Sequence, residues 1–250
     1  MVSPPKVALV TGAGRGLGRA IALRLAEDGA AVVVNYVASE KSANETVNEI
    51  KSKGGKAIAF QANVREFDAV KKMVAAGIDA FGPISILINN AGWMIPQAFE
   101  DNTEEYWDRV LDTKIKSSLY TVFSTLPEMK KLGWGKIINI TGDSGRVGLA
   151  RAVVHTGAQG ALQSMTKSWA REFATYGIRV NAVSPGPIKS DQQEEFTRIA
   201  PDLANTDLWG PLGVGKPEDI SAAVAFLVRN EGDHITGQIL SVNGGRAYPS

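Results

Sequence analysis

Residues 11–18 read TGAGRGLG, and their placement decides the fold. Just upstream, VALV (7–10) is a short, continuous apolar run rich in β-branched residues, as expected of a strand buried on both faces. Just downstream, Leu17, Ala20, Ile21 and Leu25 recur at helical spacing. The glycines at 12, 14, 16 and 18 therefore sit between a buried strand and the start of a helix. There, backbone N–H groups can approach a phosphate at the positive end of a helix. A glycine string alone says little; in this position it points to a dinucleotide.

The same rhythm continues along the chain. AVVV (31–34), AIAF (57–60), ISILI (84–88), KIINI (136–140), IRVNAV (178–183) and QILSV (238–242) read as further strands. Helical patterns fill 39–54, 66–81, 103–131 and 157–175, with His155 at the start of the last. Strands alternating with helices predict an α/β fold: a doubly wound parallel sheet of Rossmann type with helices on both faces. No linker or shift in composition divides residues 1–250, so the reading is a single dinucleotide-binding domain. Residues 184–216 show no clear pattern and hold SPGP and GPLGVGKP, as expected of a lid loop over a substrate.

Composition removes several classes of function. The net charge is +1, and no basic run exceeds a Lys-Lys pair, so neither nucleic acid nor a membrane surface is expected as a partner. There is no cysteine, which excludes disulfides and thiolate metal sites and fits a cytoplasmic location. His155 and His234 are the only histidines and lack metal-ligand spacing, so no metal is expected.

The second strand ends in Asn35, where an acid would bind the ribose 2′-hydroxyl of NAD and repel a 2′-phosphate. No acid occurs before Glu40, while Arg15, Ser39 and Lys41 are placed to meet a phosphate. The expected cofactor is NADP(H) rather than NAD(H). Asn89 and Asn90 close a buried strand, where amides are costly unless bonded, so they are expected to brace backbone. Trp93 and Met94 follow directly and are expected to line the cleft of an apolar or aromatic substrate.

These motifs resemble those of the short-chain dehydrogenase/reductases over nearly the whole chain. TGAGRGLG is similar to the family's cofactor turn, and NNAG (89–92) to its fourth-strand motif. SPGPI (184–188) is similar to its nicotinamide-side motif, and GQILSVNGG (237–245) to its C-terminal strand. The resemblance implies a seven-stranded parallel sheet, a homotetramer and a small-molecule substrate. It implies cofactor contacts from Gly12, Gly14, Arg15, Gly16, Leu17, Gly18, Asn35, Asn63, Val64, Asn90, Ala91, Gly92, Pro185, Gly186 and Ile188.

It also implies hydride exchange with nicotinamide, assisted by Asn, Ser, Tyr and Lys. At those four positions this chain carries Lys114, Gly142, His155 and Gln159. Three readings follow. In the first, redox chemistry is reassigned: His155 exchanges the proton, Lys114 supplies the charge lost at Gln159, and Asp143 or Ser144 holds the substrate. The second is a non-redox lyase, isomerase or cyclase. The third is a cofactor-holding subunit without turnover. A free imidazole at 155 would give a limb in the rate profile at about pH 6 to 7.

Overall fold

The computed structural model describes residues 6–202 and 210–247, except for the side chain of Gln192. Seven parallel strands form one sheet in the order β3-β2-β1-β4-β5-β6-β7. They are β1 (Val7–Val10), β2 (Ala31–Tyr36), β3 (Ala57–Gln61), β4 (Ile86–Asn89), β5 (Gly135–Ile140), β6 (Ile178–Pro185) and β7 (Ile239–Val242). The order reverses between β1 and β4, whose registers pair Ala8 with Ile86 and Val10 with Ile88. The crevice beyond the carboxyl ends of strands at such a reversal is where open α/β sheets bind ligands.

Successive strand residues point to opposite faces, so the sheet is covered on both. Val10, Val34, Ile88 and Ile138 pack against Ile21 and Leu25 of α1 (Gly16–Glu27), Ile50 of α2 (Glu40–Ser52) and Val224 of α9 (Pro217–Val228). Leu9, Val33, Leu87 and Ile137 pack on the other side against three further helices. These are α3 (Phe67–Phe81), α5 (Ser117–Leu132) and α7 (Val153–Phe173). Between β4 and β5 a row of buried amides replaces apolar contact. Asn89 donates to Asn139 (2.9 Å), Asn139 donates to Thr166 (2.9 Å), and the Thr121 hydroxyl donates to Asn89 (2.6 Å). Every one of these groups is bonded, which is what makes their burial tolerable.

Three expectations from sequence are corrected. The pattern over 103–131 is two helices, α4 (Glu104–Leu111) and α5, joined by one wide π turn over Asp112–Lys116. The last catalytic-side helix starts at Val153, not 157, so His155 and Gln159 lie on one continuous face. Residues 184–216 are not wholly irregular. Ser184 and Pro185 extend β6, and α8 (Asp191–Ile199) is capped by Ser190, whose hydroxyl accepts from Gln193 N at 3.1 Å. Within the expected lid, residues 203–209 lie outside the described residues. Among the described residues, no helix is long and apolar enough to cross a membrane.

Candidate functional site

The glycine turn is held from within. Asn35 is 1% exposed; its carbonyl oxygen accepts from Gly12 N (3.1 Å) and its amide donates to Ala62 O (3.0 Å). The expectation that Asn35 touches cofactor is thereby corrected: its polar atoms are spent on positioning the turn. Asn90 braces the same turn, donating to Thr11 O (2.9 Å) and Gly12 O (3.3 Å). Thr11, to which the sequence reading gave no role, accepts from both Asn90 N and Ala91 N through its hydroxyl, at 2.9 and 3.0 Å. So the loops after β1 and β4 form one hydrogen-bonded unit.

Gly12 and Gly16 hold φ of 64° and 55°, a left-handed conformation that suits glycine. Gly18 serves close packing instead: a Cβ there would lie 2.2 Å from Gly12 O. At the start of α1, Arg15 supplies no side-chain cap and the first turn holds no acid. The N–H groups of Leu17 and Gly18 thus face the crevice end of the helix without a side-chain acceptor.

Of the residues expected to meet a 2′-phosphate, Arg15 is largely exposed and meets only exposed Asp191, at 3.5 Å. Lys41 is exposed on α2. Ser39 is committed to α2 as its cap, accepting from Ser42 N at 3.3 Å. Past β3, Asn63 turns its carbonyl oxygen to Arg65 N (3.2 Å) and Val64 is buried. Gly186 packs against Asn243 and donates its N–H to Val242 O (3.2 Å), and Ile188 bridges to Gly215.

At the other end of the crevice the structure brings His155, Gln159, Gly142, Ser144 and Lys114 together. Gln159 Nε2 lies 3.0 Å from His155 Nε2. An amide NH2 donates, so the ring nitrogen accepts and the neutral imidazole carries its proton on Nδ1. Gln159 is buried, and its Oε1 has no hydrogen-bond partner among the described residues. A Cβ on Gly142 would lie 3.4 Å from Gln159 Nε2 and 3.6 Å from Ser144 Oγ. Gln163, also missed in the sequence, fixes this wall by donating to Gly142 O at 3.1 Å. Its place one turn beyond Gln159 was the available signal.

Lys114 projects from the π turn and is 5% exposed. Its Nζ donates to Ile140 O (2.7 Å) and Ala91 O (3.3 Å), just past the ends of β5 and β4. Burial lowers its pKa to about 8. Burial also lowers that of His155, and the repulsion of the Lys114 ammonium adds to the effect, bringing it to about 4. This corrects the expected limb at pH 6 to 7: at neutral pH the imidazole is uncharged.

Asp143, expected to hold the substrate, accepts from Ser184 Oγ at 3.0 Å through Oδ1, while its buried Oδ2 has no hydrogen-bond partner among the described residues. Burial raises its pKa, with Asn243, Ser184 and two arginines acting against the rise. Trp93 is anchored beside the site by Tyr106, with ring centres 5.4 Å apart, and by the Arg109 guanidinium 3.9 Å over its ring.

A family model described as enoyl-(acyl carrier protein) reductase matches residues 12–247. The 3-oxoacyl-[acyl-carrier-protein] reductase FabG of Staphylococcus aureus is 41% identical over 241 residues, covering 96% of this chain and 97% of the relative. A probable tetrahydroxynaphthalene reductase of Zymoseptoria tritici is 35% identical over 251 residues, 96% of this chain and 93% of that one. Among solved structures, a blue fluorescent protein from a metagenomic library, in complex with NADPH, has a TM-score of 0.88 at 33% identity. The match covers 97% of this chain and 98% of that one.

Proposed function

The chain belongs to the short-chain dehydrogenase/reductase family, and from that premise we propose that it is an NADP(H)-dependent oxidoreductase interconverting a small carbonyl compound and its alcohol through a rebuilt active site. The observation that carries the reading is the convergence of His155, Gln159 and Lys114 beside Gly142, across the crevice from an intact glycine turn. On this reading all four positions of the family's Asn-Ser-Tyr-Lys set are substituted.

The residues present fit the cofactor. The start of α1 offers unsatisfied N–H groups to a pyrophosphate. A Cβ on Gly16 would meet nothing within 4 Å, so the rim of the turn is open. The buried, unpartnered Gln159 Oε1 suits a ribose hydroxyl as its donor. Arg15 and Lys41 would receive a 2′-phosphate, and the NADPH-bound structural relative supports that preference. Gly12, Gly14, Leu17, Gly18, Asn90, Ala91, Gly92, Pro185, Gly186 and Ile188 would complete the cleft, the family's cofactor positions. When bound, the reduced nicotinamide supplies a hydride to the substrate carbon.

The chain's own residues then have separate tasks. Gln159 holds the imidazole by Nε2, so that Nδ1–H is offered as a neutral donor to the substrate oxygen. A neutral imidazole in this position polarises a carbonyl while keeping its own proton, and the alkoxide formed when hydride reaches the carbon would take its proton from solvent. The Ser144 hydroxyl stands beside the same space, 3.6 Å from where a Cβ on Gly142 would lie. Trp93 and Tyr106 give the site an aromatic wall. Oxoacyl thioesters and hydroxylated aromatic ketones, the chemistries in the relatives' names, are the substrates to try first.

Calorimetry with NADPH and NADH, followed by loss of nicotinamide absorbance with those carbonyl compounds, tests the proposal. NADPH is expected to bind with a micromolar Kd, about −8 kcal/mol, more tightly than NADH, and to be consumed. Failure to bind either nucleotide overturns the cofactor assignment. Binding without turnover of any carbonyl favours a cofactor-holding or non-redox role.

A further inference from the structure

We infer that Lys114 carries the positive charge of this reaction centre and binds the reacting oxygen of the substrate through the one ammonium N–H that the protein leaves free. The inference rests on the oxidoreductase reading and names the residue that stabilises its oxyanion.

The geometry begins with the π turn. A π turn inserts an extra residue into a helix and is frequent at functional sites. Here it falls on Asp112–Lys116 and sends Lys114 inward between the ends of β4 and β5. An ammonium has three N–H groups. Two are taken by Ile140 O and Ala91 O, and among the described residues none is given to a side chain. A buried cation is ordinarily paired with a carboxylate, because burial without a counter-charge is costly. Lys114 has none.

Among the described residues, no charged or titratable group on a neighbouring element bonds Lys114. In the π turn itself, Asp112 pairs with Lys116 at 2.7 Å and Arg65 at 3.9 Å. On α4, the Tyr106 hydroxyl donates to Ile95 O and Arg109 covers Trp93. Beyond β5, the Asp143 carboxylate faces Ser184. On α7, the facing groups are Gln159 and His155, and the depressed pKa of His155 registers the Lys114 charge. Gly92 and Gly142 leave the flanks open: a Cβ on Gly92 would lie 3.4 Å from Nζ.

An ammonium with an N–H to spare and a neutral imidazole N–H would together offer a single oxygen two donors. Such donors, already in place, stabilise charge that develops on a carbonyl oxygen. A main-chain-anchored Lys114 thus supplies, from another element, the charge that Gln159 lacks. With a pKa lowered to about 8 it remains cationic at neutral pH. Reduction is therefore expected to weaken as pH rises through that value.

The test uses an oxyanion probe that is not turned over. 4-Nitrophenol is titrated into enzyme loaded with NADP+, and the yellow phenolate is read by absorbance. Wild type is expected to bind the phenolate and lower the pKa of the bound phenol. Lys114→Met is expected to bind at least tenfold more weakly and without that shift, whereas Lys114→Arg retains it. Lys116→Met, on the exposed neighbour, is expected to behave as wild type. In parallel, the carbon-13 Cε signal of Lys114, assigned with the conservative Lys114→Arg, is expected to titrate near 8 in the wild type and to move upward on phenolate binding.

Equal phenolate binding by Lys114→Met with an unmoved Cε titration overturns the inference. A wild type that consumes no NADPH with any carbonyl overturns the oxidoreductase reading instead, and the phenolate titration still decides Lys114. If both hold, Lys114→Met is expected to lose 10²–10³-fold in kcat/KM together with the limb near pH 8, while binding NADPH as wild type does.

Discussion

Acidification probes the site through His155. Its pKa falls from 6.5 to about 4 in the folded protein, which disfavours the imidazolium by about 3.4 kcal/mol, at about 1.4 kcal/mol per tenfold change in the protonation equilibrium. Between those values the unfolded chain binds a proton that the native chain does not. The contribution of His155 to stability is therefore complete above pH 6.5, declines as pH falls, and levels off below about 4. Between pH 7.5 and pH 4.5 the loss comes to about 2.5 kcal/mol by linkage. Carboxylates titrate over the same range, so the quantity to measure is the difference between wild type and His155→Gln in urea unfolding at the two pH values. Wild type is expected to lose about 2.5 kcal/mol more than the variant. The ring proton signals give the same answer directly. The chain has two histidines, so the signal missing from His155→Gln is that of His155. A His155 signal titrating near 6.5 refutes the account of burial and Lys114 repulsion. It would also restore a catalytic limb at pH 6 to 7, where a flat kcat/KM is now expected.

Gly18→Ala places a Cβ 2.2 Å from Gly12 O and 2.6 Å from Asn90 Nδ2. It is expected to break the unit formed by the two loops and abolish NADPH binding in calorimetry; an unchanged Kd would show that this packing does not shape the cleft. Gly142→Ser meets only ordinary contacts at 3.4 and 3.6 Å and is expected to leave Tm unchanged. Combined with His155→Tyr, Gln159→Lys and Lys114→Asn, it is expected to raise reduction of generic ketones at least tenfold. No gain from the combined variant would show that these four positions do not correspond to the family's catalytic set.

The sheet, the order of its elements and the nucleotide end were legible along the chain. VALV and AVVV bury both faces, so each is a continuous apolar run, and each declares itself without knowledge of its partners. The glycine turn is equally local, because its chemistry is that of backbone shape. The π turn was hidden, since a single inserted residue barely disturbs helical periodicity over 103–131. Side-chain direction was hidden as well. Asn35, Asp143 and Lys114 all sit at strand or helix ends near the crevice, yet Asn35 is consumed by Gly12 and Ala62, and one oxygen of Asp143 by Ser184. Lys114 instead rests on two carbonyls from strands far away in sequence. Sequence alone thus determined which backbone is built and which residue types stand at the reacting end. Only the folded chain decided which of them keep a free donor and what charge they hold, because hydrogen-bond partners and burial come from segments that meet only when the sheet is assembled.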